Sequence, residues 1–139
     1  MKEITIKLVS SSAFEGEEAN EMEMVSDAQI AEKQGAIYIT YEEAELEGVP
    51  QGKVSLKIRD DRVKMTRYGK NGQRSEMEFQ VGRDHVSDYY TEFGTMELRI
   101  HTLKVENQIS MEGGFLKLDY KVVLNGMANG ENHLSLMIV

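Results

Sequence analysis

One residue in the run VKMTRYGKNGQRSEMEFQV, residues 63–81, breaks its own pattern. Val63 and Met65 mark the apolar face of an alternating strand, and the next position on that face is Arg67. A guanidinium there presents a rigid fork of N–H donors that grips a carboxylate or phosphate through two parallel hydrogen bonds. Two other roles fit the same position: closing a barrel end through backbone carbonyls, or snorkelling to water where the strand frays. The same alternation places Tyr41, Ser75, Thr102, Asn107 and Tyr120 on inward faces. Arg67, Tyr41, Thr102, Tyr120 and Asn107 are therefore the candidate ligand-binding residues. Arg67 would recognise the charge of an anionic amphiphile, and Tyr41 with the inward methionines would supply apolar contact. Asn107 and Tyr120 come out directly opposite each other, which predicts a mutual hydrogen bond.

The other reactive side chains form no catalytic or metal-binding set. His85, His101 and His133 lack the spacing that would put two or three ligands on one face. Glu15, Glu17, Glu18, Glu21 and Glu23 lack the Asp/Asn-Gly alternation of a calcium loop and read as a solvated loop or strand start. Glu42 and Glu43 are neighbours, so in a strand they point to opposite faces and form no acid/base pair. No glycine-rich phosphate loop leads into a helix, and no nucleophile elbow is present. Neither catalytic residues nor a cofactor nor a metal is expected.

These positions are held by strands. Period-2 alternation runs through Ile4–Leu8, Met22–Ile30, Ile37–Tyr41, Val54–Ile58, Met77–Phe79, Val86, Met96–Ile100, Leu103–Met111, Leu116–Leu124 and Leu134–Ile138. Residues opposite one another in a hairpin share a face, so loop length must match apolar parity. A two-residue Asp60-Asp61 loop pairs Ile58 with Val63 and Leu56 with Met65. A Gly113-Gly114 loop pairs Met111 with Leu116 and Val105 with Val122. A three-residue Lys70-Asn71-Gly72 loop, with Gly72 left-handed, pairs Met65 with Met77 and Val63 with Phe79. It leaves Arg67 between Val54 and Ser75. Ala128-Asn129-Gly130 pairs Leu124 with Leu134 and Val122 with Leu136. Parity flips between Ile100 and Leu103, which predicts a β-bulge at 101–103. Roughly eight to ten antiparallel strands in sequential hairpins favour an all-β up-and-down barrel over a sandwich.

The chain has 139 residues, which suits one domain over 1–139. It has no Cys, no apolar leader and no run near the roughly 18 apolar residues of a membrane span, so a cytoplasmic location is expected. Its formal net charge of −8 argues against nucleic acid or anionic membrane as partners.

YITYEE (38–43), TRYG (66–69) leading to EMEF (76–79), YYTEFGTMEL (89–98) and LKLDYKVVLNG (116–126) occur in that order. Together they resemble the YwiB-like family of small bacterial proteins, a domain of unknown function, over residues 22–139. The resemblance implies a calycin-like β-barrel similar to lipocalins and fatty-acid-binding proteins, and no catalytic residues. Its pattern positions are Tyr41, Glu42, Glu43, Arg67, Gly69, Thr91, Gly94 and Thr102. The turn TEFG departs from the family, where Pro at Glu92 and Tyr at Phe93 are expected. Two functional readings follow. One is a barrel binding a small amphiphilic or anionic ligand in its lumen, by analogy of fold. The other is a homodimer or partner-docking module using outward Tyr38, Tyr68, Phe115 and Val123.

Overall fold

The computed structural model describes residues 1–14, 20–42, 52–69, 74–91, 94–126 and 128–139. The expected Lys70-Asn71-Gly72 turn and Glu43 lie outside them. Ten strands follow one another: β1 (Lys2–Phe14), β2 (Asn20–Lys33), β3 (Ala36–Glu42), β4 (Lys53–Arg59), β5 (Arg62–Tyr68), β6 (Arg74–Phe79), β7 (Asp84–Thr91), β8 (Gly94–Asn107), β9 (Gly114–Leu124) and β10 (Ala128–Ile138). The sheet order is β6-β5-β4-β3-β2-β1-β10-β9-β8-β7. Every chain neighbour is a sheet neighbour except β6 and β7, and β1 pairs with β10. The result is an antiparallel meander rolled into a nearly closed barrel, as the alternation and the family resemblance imply.

The core is the shared inward face. Ile6, Ile30, Ile39, Leu56, Ile100, Leu116, Leu118 and Leu136 are fully buried in it, with Phe79, Val54 and Val63. Each large aliphatic side chain taken from water contributes about 1.5–3 kcal/mol. The β4–β5 hairpin has the expected pairs Ile58–Val63 and Leu56–Met65. The β5–β6 hairpin has Met65 opposite Met77 and Val63 opposite Phe79. The bulge also lies where parity put it, between Thr102 and Lys104. Leu103 is the extra residue and turns outward at 40% exposure, so it is not one of the core positions.

Two hairpins close elsewhere than expected. In β8–β9, Val105 faces Leu118 rather than Val122, and Asn107 faces Leu116. The chain reverses at Met111-Glu112, with Ser110 bridged to Gly113, so Gly113 closes the turn and Gly114 begins β9. In β9–β10, Leu124 faces Ala128 and Leu118 faces Leu134, because the turn uses Asn125-Gly126 and not Asn129-Gly130. Asn125 is left-handed (φ 48°) and holds Glu97 of β8 from both sides. Its N–H donates to the Glu97 carbonyl at 2.8 Å, and its Oδ1 accepts from the Glu97 N–H at 2.7 Å. Both slips are even numbers of residues, which leave every side chain on its predicted face. Val86 is a correction of face. It is 46% exposed, and His85 and Ser87 share the inward side of β7 with Ile100 and Leu98.

The gap between β6 and β7 has a cause in the sequence. The Val81-Gly82 turn bridges Gln80 to Arg83. Continuing that register would set buried Phe79 opposite exposed Asp84, and exposed Glu78 opposite inward His85. Ladder partners must share a face, so the ladder stops after one bridge. A side chain spans the seam instead: the Glu78 N–H donates to His85 Nδ1 at 3.3 Å, and the Glu78 carboxylate lies 3.7 Å from Nε2.

Adjacent glycines at the start of β9 test the observed turn. Gly113 (φ +140°) has open space where a Cβ would stand, whereas a Cβ on Gly114 (φ +117°) would overlap the Gln108 carbonyl. Gly113→Ala is expected to cost about 1 kcal/mol and Gly114→Ala about 2–3 kcal/mol in urea unfolding. Equal costs would contradict the reversal at Met111-Glu112.

Candidate functional site

Strands β3, β5, β8 and β9 carry Tyr41, Arg67, Thr102 and Tyr120 on the inward face. Arg67 stands one residue before the end of β5, half-buried, opposite Val54 and Ser75. Tyr41, 6% exposed, is opposite Val54 from the other side, so a row Tyr41–Val54–Arg67–Ser75 crosses four strands. From the far wall, Tyr120 of β9 stands opposite Thr102 of β8. Its ring packs edge-on against Phe79, with centroids 4.7 Å apart.

Tyr120 and Arg67 are electrostatically coupled. Burial pushes the Tyr120 phenol above its ordinary pKa, and the positive charge of Arg67 draws it partly back. Beside Tyr120, Thr102 is 2% exposed and its Oγ1 makes no hydrogen bond among the described residues. Ser87 Oγ, on inward β7, is the other such atom. A buried hydroxyl without a partner costs about 1–3 kcal/mol. The structure thus sets Tyr120 opposite Thr102 and within the field of Arg67, and holds Tyr41 two strands from Arg67, across Val54. Tyr41 also borders an open groove of about 1040 Å³ among the described residues, where Ile4, Met24, Ala28 and Ile138 are mixed with the charged Lys2, Glu3, Asp27, Glu42, Lys53 and Glu112.

Asn107 does not join them. Its Nδ2 donates to the Asp60 carbonyl at 2.9 Å, and its Oδ1 accepts from the Ile109 N–H at 3.0 Å. It ties the end of β8 to the β4–β5 hairpin across the short-turn end. The predicted bond to Tyr120 fails because the β8–β9 register differs. Ser87 and His85 were missed because Val86 drew the apolar reading to the wrong parity. The histidines are apart from one another, each against a carboxylate. His101 Nδ1 lies 2.6 Å from Asp84, His133 Nδ1 2.6 Å from Asp119, and His85 beside Glu78. The hydrogen bond from His101 holds the Asp84 carboxyl below its ordinary pKa. Among the described residues no three His, Asp or Glu side chains converge as metal ligands. No helix among them is long and apolar enough to cross a membrane.

Residues 6–136 match a family described as a domain of unknown function, DUF1934. The chain belongs to this family. The match begins well before Met22, so β1 is part of the family's domain and not an addition to it. The crystal structure of the ywiB protein from Bacillus subtilis superposes with a TM-score of 0.72, at 17% identity, over 99% of this chain and 93% of that one. At that identity the likeness is one of fold. No curated protein matches the chain.

The coupling of Tyr120 to Arg67 is measurable. In an ultraviolet titration Tyr120 is expected to ionise above an ordinary phenol, and Tyr120→Phe identifies its step. Its raised pKa stabilises the fold at neutral pH, and that contribution fades as pH rises from the unfolded-state phenol pKa through the folded one. Arg67→Met should push the step further up. An unmoved step would separate the two residues.

Proposed function

We propose that this family member is a non-enzymatic binding barrel that holds the anionic head of a small amphiphile at Arg67, Tyr120 and Thr102. The observation that carries the reading is the buried Thr102 hydroxyl, unpaired among the described residues, beside a phenol that lies in the field of a guanidinium. A carboxylate or phosphate gives the Thr102 hydroxyl an acceptor, accepts from the Tyr120 phenol as well, and sets its charge against the Arg67 guanidinium. The apolar tail lies along Tyr41 and the inward methionines Met24, Met65 and Met77, whose thioether chains adapt to irregular shapes.

A second reading rests on the outer surface. Phe115, Met137, Lys7 and Val25 form one outward row across β9, β10, β1 and β2. Val25 is 64% exposed and Met137 48%. Lys7 is the one charge in that row, and it is drawn aside to Glu23 at 2.9 Å. Such a row suits self-association through the β1–β10 wall. Lys117 lies over the Phe115 ring at 5.4 Å, so Val25 and Met137 are the bare apolar contacts of that row, and outward Tyr38 and Tyr68 likewise carry a Lys or Arg over the ring at 6.0 Å.

Truncating Arg67 decides the first reading. Arg67→Met keeps the reach of the side chain and removes the fork. Calorimetry with a medium-chain fatty acid or acyl phosphate is expected to show affinity falling by about 1.5–3 kcal/mol. The melting temperature should hold or rise, because a partly buried charge has gone. A destabilised variant, with no anion bound by the parent chain, would assign Arg67 to closing the barrel end instead. Native mass spectrometry of the purified chain reads ligand and oligomer together, and a dimer broken by Met137→Glu with no ligand mass would favour the outer surface.

A further inference from the structure

The short-turn end of the barrel carries a concentration of positive charge in a chain that is acidic overall. A cleft of about 340 Å³ beside the β6–β7 seam is lined by Lys57, Arg59, Arg62, Lys64 and Arg83, with Glu78 as its acidic member. In a chain of net charge −8, this one surface gathers five of sixteen basic residues. The register makes the arrangement costly. Lys57 stands directly opposite Lys64, and Arg59 directly opposite Arg62. Like charges opposite one another destabilise a sheet, and two such pairs share one seven-residue hairpin arm. A single acidic replacement at either pair would relieve the repulsion.

Internal partners neutralise only part of the charge. Lys64 has Glu78 across the next ladder and Glu76 at 3.6 Å. Arg59 donates to the Gln34 carbonyl at 2.8 Å and Arg62 to Gln80 Oε1 at 3.1 Å, both uncharged acceptors. Lys57 lies over the Tyr38 ring. Arg83 holds no carboxylate among the described residues. Asp60 and Asp61, at the tip of the same hairpin, line no part of the cleft.

We propose that this cleft binds a compact polyanion, a small molecule carrying two or more phosphoryl groups. A single monoanion would leave most of the positive charge unmatched. A nucleic acid strand would run out of the cleft onto an acidic surface that repels it. A diphosphate or triphosphate group fits within about 300 Å³ or a little more, the lower end of small-molecule pockets, and takes forks from several guanidiniums at once. This site is separate from the lumen cluster and stands without it.

Calorimetry on the full chain at about 0.15 M salt tests it with pyrophosphate, orthophosphate and a short single-stranded DNA. Pyrophosphate is expected to bind at one site, at least about tenfold tighter than orthophosphate and tighter than the oligonucleotide. Arg83→Gln, which breaks no described side-chain bond, should weaken pyrophosphate about tenfold or more with the melting temperature unchanged. Lys57→Glu should abolish binding while the melting temperature holds or rises, because the Lys57–Lys64 repulsion is gone. Absence of pyrophosphate binding overturns the proposal. So does binding that Arg83→Gln leaves intact, and so does tighter binding of the oligonucleotide, which would make the surface one for a polymer.

Discussion

Ladder partners must face the same way, and the architecture depends on that constraint. Nine of the ten places where consecutive or terminal strands meet obey it and form hydrogen-bonded ladders. At the tenth, the Val81-Gly82 turn joins two strands whose inward residues are both odd-numbered, Met77 and Phe79 on one side and His85 and Ser87 on the other. A two-residue turn pairs odd with even, so it cannot serve both. The alternative, a longer turn, would close the ring. This chain keeps the short turn and leaves an opening that His85 crosses with one bond to the Glu78 backbone. The seam is thus a product of turn length and parity and needs no special flexibility to explain it.

The strands deliver polar groups to the two ends of the barrel in different ways. Arg67 lies near the end where β5 leads to β6, and it is half-buried between Val54 and Ser75. There the low dielectric strengthens any pairing and makes a hydroxyl such as Thr102 Oγ1, without a partner among the described residues, expensive. The cations of the β4–β5 hairpin lie at the opposite, short-turn end and are largely in water, where each pair of charges interacts weakly and number matters more than placement.

Faces were legible in the sequence; registers were legible only in part. A one-residue slip turns an apolar face to water, so parity placed Arg67 between Val54 and Ser75 and located the bulge beside Thr102. A slip of four or six residues exposes nothing, and parity cannot see it. The β8–β9 and β9–β10 turns were misplaced by such amounts, and Asn107 was paired with Tyr120 in consequence. The choice of Asn125 over Asn129 rests on bonds to Glu97, a residue distant in sequence and brought near by the β8–β9 ladder. Val86 misled because a lone valine at a strand start outweighed two polar neighbours. The like-charge pairs, by contrast, are implied by the Asp60-Asp61 turn, which sets Lys57 opposite Lys64 and Arg59 opposite Arg62.

Sequences that fold well agree with themselves at every level, and departures concentrate where function requires them. This chain departs at Arg67 on an apolar face, at a Thr102 hydroxyl with no partner among the described residues, and at two like-charge pairs on one hairpin. Phe79 connects these departures. It is fully buried, its ring packs on Tyr120, and the strand that carries it borders the basic cleft. It is also the residue whose inward orientation stops the β6–β7 ladder. A close-packed interior leaves such a ring few alternative positions. The residue whose inward orientation stops the β6–β7 ladder therefore also stands between Tyr120 and the basic cleft, while the like-charge pairs that line the cleft follow from the β4–β5 register.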